Sequence, residues 1–209
     1  MKKLVILVHG FNITKWERTV GKLSQPFKDR GFKVVPFRYG HTNIYQVMLR
    51  NPSLARKLSE EAKEAKARGY RVYVVGHSNG VAILRLANIA YKAPIDVAVC
   101  INPALSRGLN PCPQASLVQV YHNAKDTPVI LGKWLRRLTP WARASRPWGE
   151  MGRYGYLGND ANVVNFDTLN DFEEKGEDHS GVFKPPAESY YKLMIPKLAD
   201  EEARVYWPN

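Results

Sequence analysis

Arg71-Val72-Tyr73-Val74-Val75-Gly76-His77-Ser78-Asn79-Gly80-Val81 is the stretch that decides the reading of this chain. An apolar run leads into five residues with glycine at both ends, and a helix-like segment follows from Val81 to Tyr91. A strand that turns sharply into a helix holds the residue at its apex, here Ser78, in a strained backbone conformation. Side chains two residues before and two residues after the apex would collide with the neighbouring helix and strand, so glycine is required at Gly76 and Gly80. The serine oxygen then projects above the sheet, and the amide of Asn79 opens the helix where its dipole favours a negative oxygen. Five-residue patterns of this kind also occur in unrelated strand-to-helix turns, so the surroundings have to decide.

Three other places bear on that decision. The segment Lys3 to Val8 is apolar enough for a buried strand and runs directly into His9-Gly10-Phe11-Asn12. Leu117 to His122 alternates and is rich in branched residues, and it ends in Asn123-Ala124-Lys125-Asp126-Thr127-Pro128-Val129. Val163 to Phe166 forms a last strand, beyond which His179 stands in Glu177-Asp178-His179-Ser180-Gly181. Taken one at a time, His9-Gly10 is a strand-ending turn, Asp126 a turn or cap aspartate, and His179 a solvated imidazole.

In this order the four pieces resemble the α/β-hydrolase family. Its lipase and esterase members carry a His-Gly pair after an early strand, and its triad runs serine, acid, histidine along the chain. The resemblance covers nearly the whole sequence. It implies Ser78 as nucleophile, Asp126 as the acid after a late strand, and His179 as the general base. It also implies an oxyanion hole made by the amides of Phe11 and Asn79. Asp167, after the last strand, is the reserve acid, because some members take the acid from another strand end; Asp178 is too close to His179 to orient it. The other histidines fit less well. His77 is too near Ser78 in sequence, His9 is placed to shape the oxyanion loop, His122 ends a strand, and His41 follows the second strand.

The chemistry implied is acyl transfer to serine. A neutral imidazole takes the hydroxyl proton, the carboxylate fixes the tautomer, and two amides stabilise the oxyanion. Water releases the acyl group, so no cofactor and no metal is implied. A small-molecule carboxylic ester is the expected substrate, with amides and thioesters as alternatives on the same machinery.

Composition sets the frame. The chain has 209 residues and 44% hydrophobic content, enough for one domain with a real core. Strands are predicted at 3–8, 33–37, 71–75, 96–101, 117–122 and 163–166, and helices at about 14–30, 52–68, 80–92, 128–138 and 187–204. This alternation predicts an α/β fold: a single compact domain over 1–209 with a mostly parallel sheet of about six strands and helices on both faces. The charges between Ser53 and Arg68 recur at helical spacing and read as a solvated helix face. Cys100 and Cys112 are the only cysteines, and no apolar leader precedes the first strand. That combination predicts reduced thiols and a cytoplasmic protein, with release by lysis still compatible.

Charge is the less ordinary feature. Lys and Arg total 31 against 19 acids, a formal charge of +12, which favours anionic surfaces. Between Lys133 and Trp148 stand Lys133, Arg136, Arg137, Arg143 and Arg146 with three tryptophans and no acid. This connection is longer than a crossover needs, so residues at about 133–160 are predicted to form a lid-like or cap-like insertion bordering the pocket. Tryptophan with arginine suits an interfacial surface, although a helix packed by Trp134 and Leu138 with exposed arginines would carry the same residues. A binding protein on a hydrolase scaffold, contacting anionic lipid or nucleic acid through this loop, is the alternative function. No nucleic-acid module is visible in the sequence.

Overall fold

Burial along the first strand fixes the layering of the molecule. In β1 (Lys2–Val8), Leu4, Ile6 and Val8 join one apolar cluster while Val5 and Leu7 join another. Successive side chains of a strand point to opposite faces, so a strand buried on both must lie inside a sheet covered on both sides. The computed structural model describes residues 1–10, 16–40, 44–126, 149–168, 180–185 and 187–202.

Among the described residues the sheet has six strands: β1, β2 (Phe32–Phe37), β3 (Tyr70–His77), β4 (Val97–Ile101), β5 (Leu117–His122) and β6 (Val163–Asp167). Their order is β2-β1-β3-β4-β5-β6, and every pairing is parallel. Ile6 lies opposite Val35 on one side and Val74 on the other, which aligns the apolar rows of the three strands. Helices α2 (Ile44–Ala67) and α3 (Asn79–Tyr91) cover one face, where Leu58, Ile83 and Leu84 pack with Ile6 and Val74. Helices α1 (Ser24–Asp29) and α5 (Ala187–Asp200) cover the other, where Phe27, Tyr191 and Ile195 pack with Leu7, Val75 and Val99. Between these in sequence lies a one-turn helix, α4 (Met151–Tyr154).

All six expected strands are present, within one or two residues of their predicted bounds. The helices differ more. The expected helix at 14–30 is, from Trp16 onward, two 3₁₀ turns (Trp16–Arg18 and Val20–Leu23) followed by α1. The chain folds back on Trp16 so tightly that a Cβ at Gly21 would lie 2.8 Å from the Trp16 carbonyl oxygen. Helix α2 begins at Ile44, not at 52, and runs through Pro52. Helix α3 ends where Lys92 turns left-handed at φ 54°. The predicted helix at 128–138 lies outside the described residues. Cys100 and Cys112 are both buried and free, and burial pushes both thiols up from their ordinary range.

The strand order places the site. β2 and β3 flank β1 on opposite sides, so the order reverses between β1 and β3. In open parallel sheets such a reversal leaves a crevice beyond the carboxyl ends of the strands. The two chain segments at its mouth are His9-Gly10 and His77-Ser78.

Core packing carries the stability. Ile6→Ala, at a position with no exposure, is expected to cost about 2–5 kcal/mol in urea unfolding. Leu193→Ala, at a position 68% exposed, should change stability by less than about 0.5 kcal/mol.

Candidate active site

Ser78 sits at the apex of the turn between β3 and α3 with φ 53° and ψ −120°. This is backbone space that an L side chain rarely occupies, and holding it costs on the order of 1–3 kcal/mol. The neighbouring glycines make it possible. A Cβ at Gly76 would meet the Val81 nitrogen at 3.0 Å and the Gly80 carbonyl carbon at 3.1 Å. One at Gly80 would lie 2.5 Å from the Val8 carbonyl oxygen and 2.7 Å from that of His9. The first turn of α3 is therefore seated directly on the end of β1. Ser78 precedes the helix but makes no side-chain cap bond to its first turn, so its hydroxyl is not engaged in capping.

Gly10 stands opposite. A Cβ there would lie 3.0 Å from both the Ser78 Cβ and His77 Nδ1. The His9 ring beneath it is buried and stacks on Tyr39 with ring centroids 3.9 Å apart. His9 Nδ1 lies 2.8 Å from the Gly10 carbonyl oxygen, and the Tyr39 amide donates to Nε2 at 3.4 Å. That pattern fits a neutral ring with its hydrogen on Nδ1. Burial lowers the His9 pKa from its ordinary 6.5, against the smaller opposing effect of the Gly10 carbonyl. The Tyr39 hydroxyl lies 2.8 Å from the His9 carbonyl oxygen and 3.0 Å from that of Gly10. His9 and Tyr39 thus hold the backbone of His9-Gly10 at the end of β1, while the rest of the loop that His9 was expected to shape lies outside the described residues.

Asp126 is fully buried at the same edge of the sheet. It closes a turn after β5 in which its amide donates to the Asn123 carbonyl, while Asn123 Oδ1 accepts from the Lys125 amide. From Ser78 to Asp126 the edge is stitched by backbone bonds. The Ser78 amide donates to the Ile101 carbonyl, and the Ala104 amide to that of Ser78. The Gly152 amide then donates to Pro103, and the Asn123 amide to Gly152. A Cβ at Gly152 would stand 2.6 Å from Asp126 Oδ2, so α4 closes directly over this carboxylate. At the end of β4 the residue is Asn102, left-handed at φ 42° and fully buried, which leaves no acid at that strand end.

The structure therefore carries Ser78, Asn79 and Asp126 to one edge of the sheet. Phe11, His179 and the cations Lys133, Arg136, Arg137, Arg143 and Arg146 lie outside the described residues. Asp167 ends β6 opposite His122 and is only partly buried. The His122 ring packs against Gly155, and the His77 ring meets Phe183 edge-on at 5.2 Å. Of the predicted insertion, residues 149–160 are described. Gly149 abuts Ser106, Met151 is buried, and Arg107 Nε and Nη2 donate to the carbonyls of Gly155 and Tyr154.

Two contributors escaped the sequence reading. Tyr39 and Asn51 are both buried beside the elbow, yet each is a single polar residue on an element whose neighbours read as strand end or helix. The nearest available signal was Asn51 directly before Pro52, a pair that ordinarily marks a turn.

Among known proteins, the likeness lies in structure. No family profile and no curated protein sequence matches the chain. A Xanthomonas campestris protein assigned to the alpha/beta hydrolase superfamily is 16% identical, with a TM-score of 0.53, over 94% of this chain and 99% of its own. Alpha/beta hydrolase domain-containing protein 10 from mouse is 14% identical, with a TM-score of 0.57, over 96% and 90%. Est1E from Butyrivibrio proteoclasticus, solved with ferulic acid bound, is 13% identical, with a TM-score of 0.55, over 95% and 90%. The chain has the α/β-hydrolase fold.

Backbone strain at the apex is measurable without any substrate. Ser78→Gly and Ser78→Ala both remove the hydroxyl, but only glycine accepts the positive φ. The glycine variant should unfold with a free energy about 1 kcal/mol higher than the alanine variant. His9 gives a second readout. Its folded pKa lies below 6.5, so below that pH the unfolded chain binds more protons and stability falls with acidification. Between pH 7 and pH 5 the urea midpoint should drop less for His9→Asn than for the wild type.

Proposed function

We propose that the protein is a serine hydrolase that cleaves carboxylic esters through an acyl-enzyme on Ser78. One observation carries this reading: a serine held at positive φ between a parallel strand and a helix amino terminus, at the reversal point of the strand order. Strain at a non-glycine residue persists only where the surroundings enforce it, and here the close seating of α3 on β1, which the two flanking glycines permit, enforces it. A fully buried aspartate on the same edge supports the triad.

In the proposed cycle His179 accepts the Ser78 proton as Oγ attacks the ester carbonyl. The negative oxygen that forms is stabilised by the amides of Asn79 and Phe11, the first reinforced by the dipole of α3. Collapse expels the alcohol, which takes the proton from His179. Water, deprotonated by His179, then attacks the acyl group, and collapse breaks the bond to Ser78 Oγ, which regains the proton from His179 as the carboxylic acid leaves. Asp126 holds the imidazole tautomer and stabilises its charged form. Est1E, of the same fold, binds ferulic acid, a carboxylic acid like the product expected here. Amide and thioester substrates would pass through the same steps.

Ser78 should be labelled by a fluorophosphonate probe, and Ser78→Ala should lose both labelling and nitrophenyl ester cleavage. Equal labelling of the two proteins would refute the assignment. Asp126→Asn should lower kcat by roughly ten-thousandfold, while Asp167→Asn should leave it within a few fold. The opposite ranking would move the acid to the end of β6.

A further inference from the structure

Asn51 and Asn79 form a reciprocal amide pair inside the protein. Asn51 Nδ2 donates to Asn79 Oδ1 at 3.0 Å, and Asn79 Nδ2 donates back to Asn51 Oδ1 at 3.2 Å. Both side chains are more than nine-tenths buried, as are Tyr39 and His9 beside them. Asn79 also hydrogen-bonds the Tyr39 side chain, whose hydroxyl reaches the carbonyls of His9 and Gly10. Arg50 Nη2 donates to the Tyr39 carbonyl at 3.1 Å. One buried polar cluster therefore connects four separate chain segments: the loop leaving β1, the end of β2, the amino-terminal half of α2 and the first residue of α3.

The cluster lies where two pieces of the site must keep a fixed separation. Asn79 bears the amide that opens α3, and Gly10 is the last described residue before the loop that carries Phe11. The two segments meet closely, Gly80 against the carbonyls of Val8 and His9 and Gly10 against His77 and Ser78, so a small shift of either would move the amide that opens α3. Directional hydrogen bonds between buried neutral groups fix distance and angle where apolar contact fixes only volume.

We infer that Asn51 is a positioning residue for the oxyanion site, acting through the Asn79 side chain and, by way of Tyr39, through the His9-Gly10 carbonyls. This rests on the reading of Ser78 as a nucleophile. Asn51 touches no reacting atom. It sets the orientation of the peptide that the oxyanion would meet, so its loss should appear in kcat and not in KM. Misplacement of such a donor by about an ångström is enough for roughly a hundredfold change in rate.

The experiment uses Asn51→Asp, which keeps the shape and changes the hydrogens. An ionised aspartate still accepts from Asn79 Nδ2 but no longer donates to Asn79 Oδ1, while a protonated one does both. Its ionisable neighbours in the cluster are Tyr39, His9 and Arg50. With a nitrophenyl ester, kcat at pH 8 should fall about 10- to 100-fold with KM within about twofold. The ratio of variant to wild-type kcat should climb back toward one as pH is lowered. Tyr39→Phe serves as a milder second variant and should lower kcat about tenfold at unchanged KM, non-additively with Asn51→Asp. A kcat ratio near one at pH 8, a ratio independent of pH, or effects of the two substitutions that simply multiply would overturn the inference. Wild-type turnover that survives Ser78→Ala would instead sink the hydrolase reading on which it depends, so the two failures are distinguishable.

Discussion

The close approach of α3 to the carboxyl end of β1 is the constraint on which the site depends. At Gly80 the helix backbone lies so near the Val8 and His9 carbonyls that a single added carbon would penetrate both. With the helix seated this low, the chain has little length in which to turn from β3 into α3, and Ser78 absorbs the change at φ 53°. The strain at Ser78 and the bare backbone at Gly76, Gly80 and Gly10 are four views of one geometry. Removing the close approach would relieve the serine and at the same time let the helix dipole drift from the crevice.

Such a crowded junction still has to satisfy its polar groups, and an unpaired buried donor or acceptor costs about 1–3 kcal/mol. The protein meets this demand with neutral groups. His9, Tyr39, Asn51 and Asn79 bond to one another and to main-chain carbonyls. Burial holds His9 toward its neutral form and Tyr39 toward its protonated form. A charged pair in the same place would have carried a large desolvation penalty. It would also have set a fixed charge beside the place where a transient one is proposed to develop.

The parts of this arrangement that were legible in the sequence are the ones governed by local rules. Alternation and apolar runs marked all six strands, and the Gly-x-Ser-x-Gly spacing marked the turn, because backbone sterics act within five residues. Helix boundaries were less legible where tertiary contact overrides them. Gly21 bends the chain onto Trp16, and Pro52 is carried inside a helix whose apolar face, through Leu54 and Leu58, is buried against the sheet. The burial of Asp126 was not readable from Asp-Thr-Pro, since it depends on α4 arriving from 25 residues downstream to cover it with Gly152. Tyr39 and Asn51 were invisible for the same reason: each acquires its role only from partners on other elements.

Charge is distributed in a way that separates stability from the site. Ion pairs of Lys3 with Asp200, Arg71 with Glu202 and Lys66 with Asp96 gather near the amino-terminal edge of the sheet. All are partly solvated, and pairs of that kind contribute about 0–1 kcal/mol each. The fold therefore rests on the two apolar clusters and has little need of its net charge of +12. At the opposite edge, beyond the carboxyl ends of the strands, the buried ionisable groups are few and Asp126 is the fully buried acid among the described residues. Gly152 of α4 closes over Asp126 Oδ2, and the fully buried Asn102 marks the end of β4 beside it. The proposed triad takes its acid from this turn, which α4 and the end of β4 keep from water.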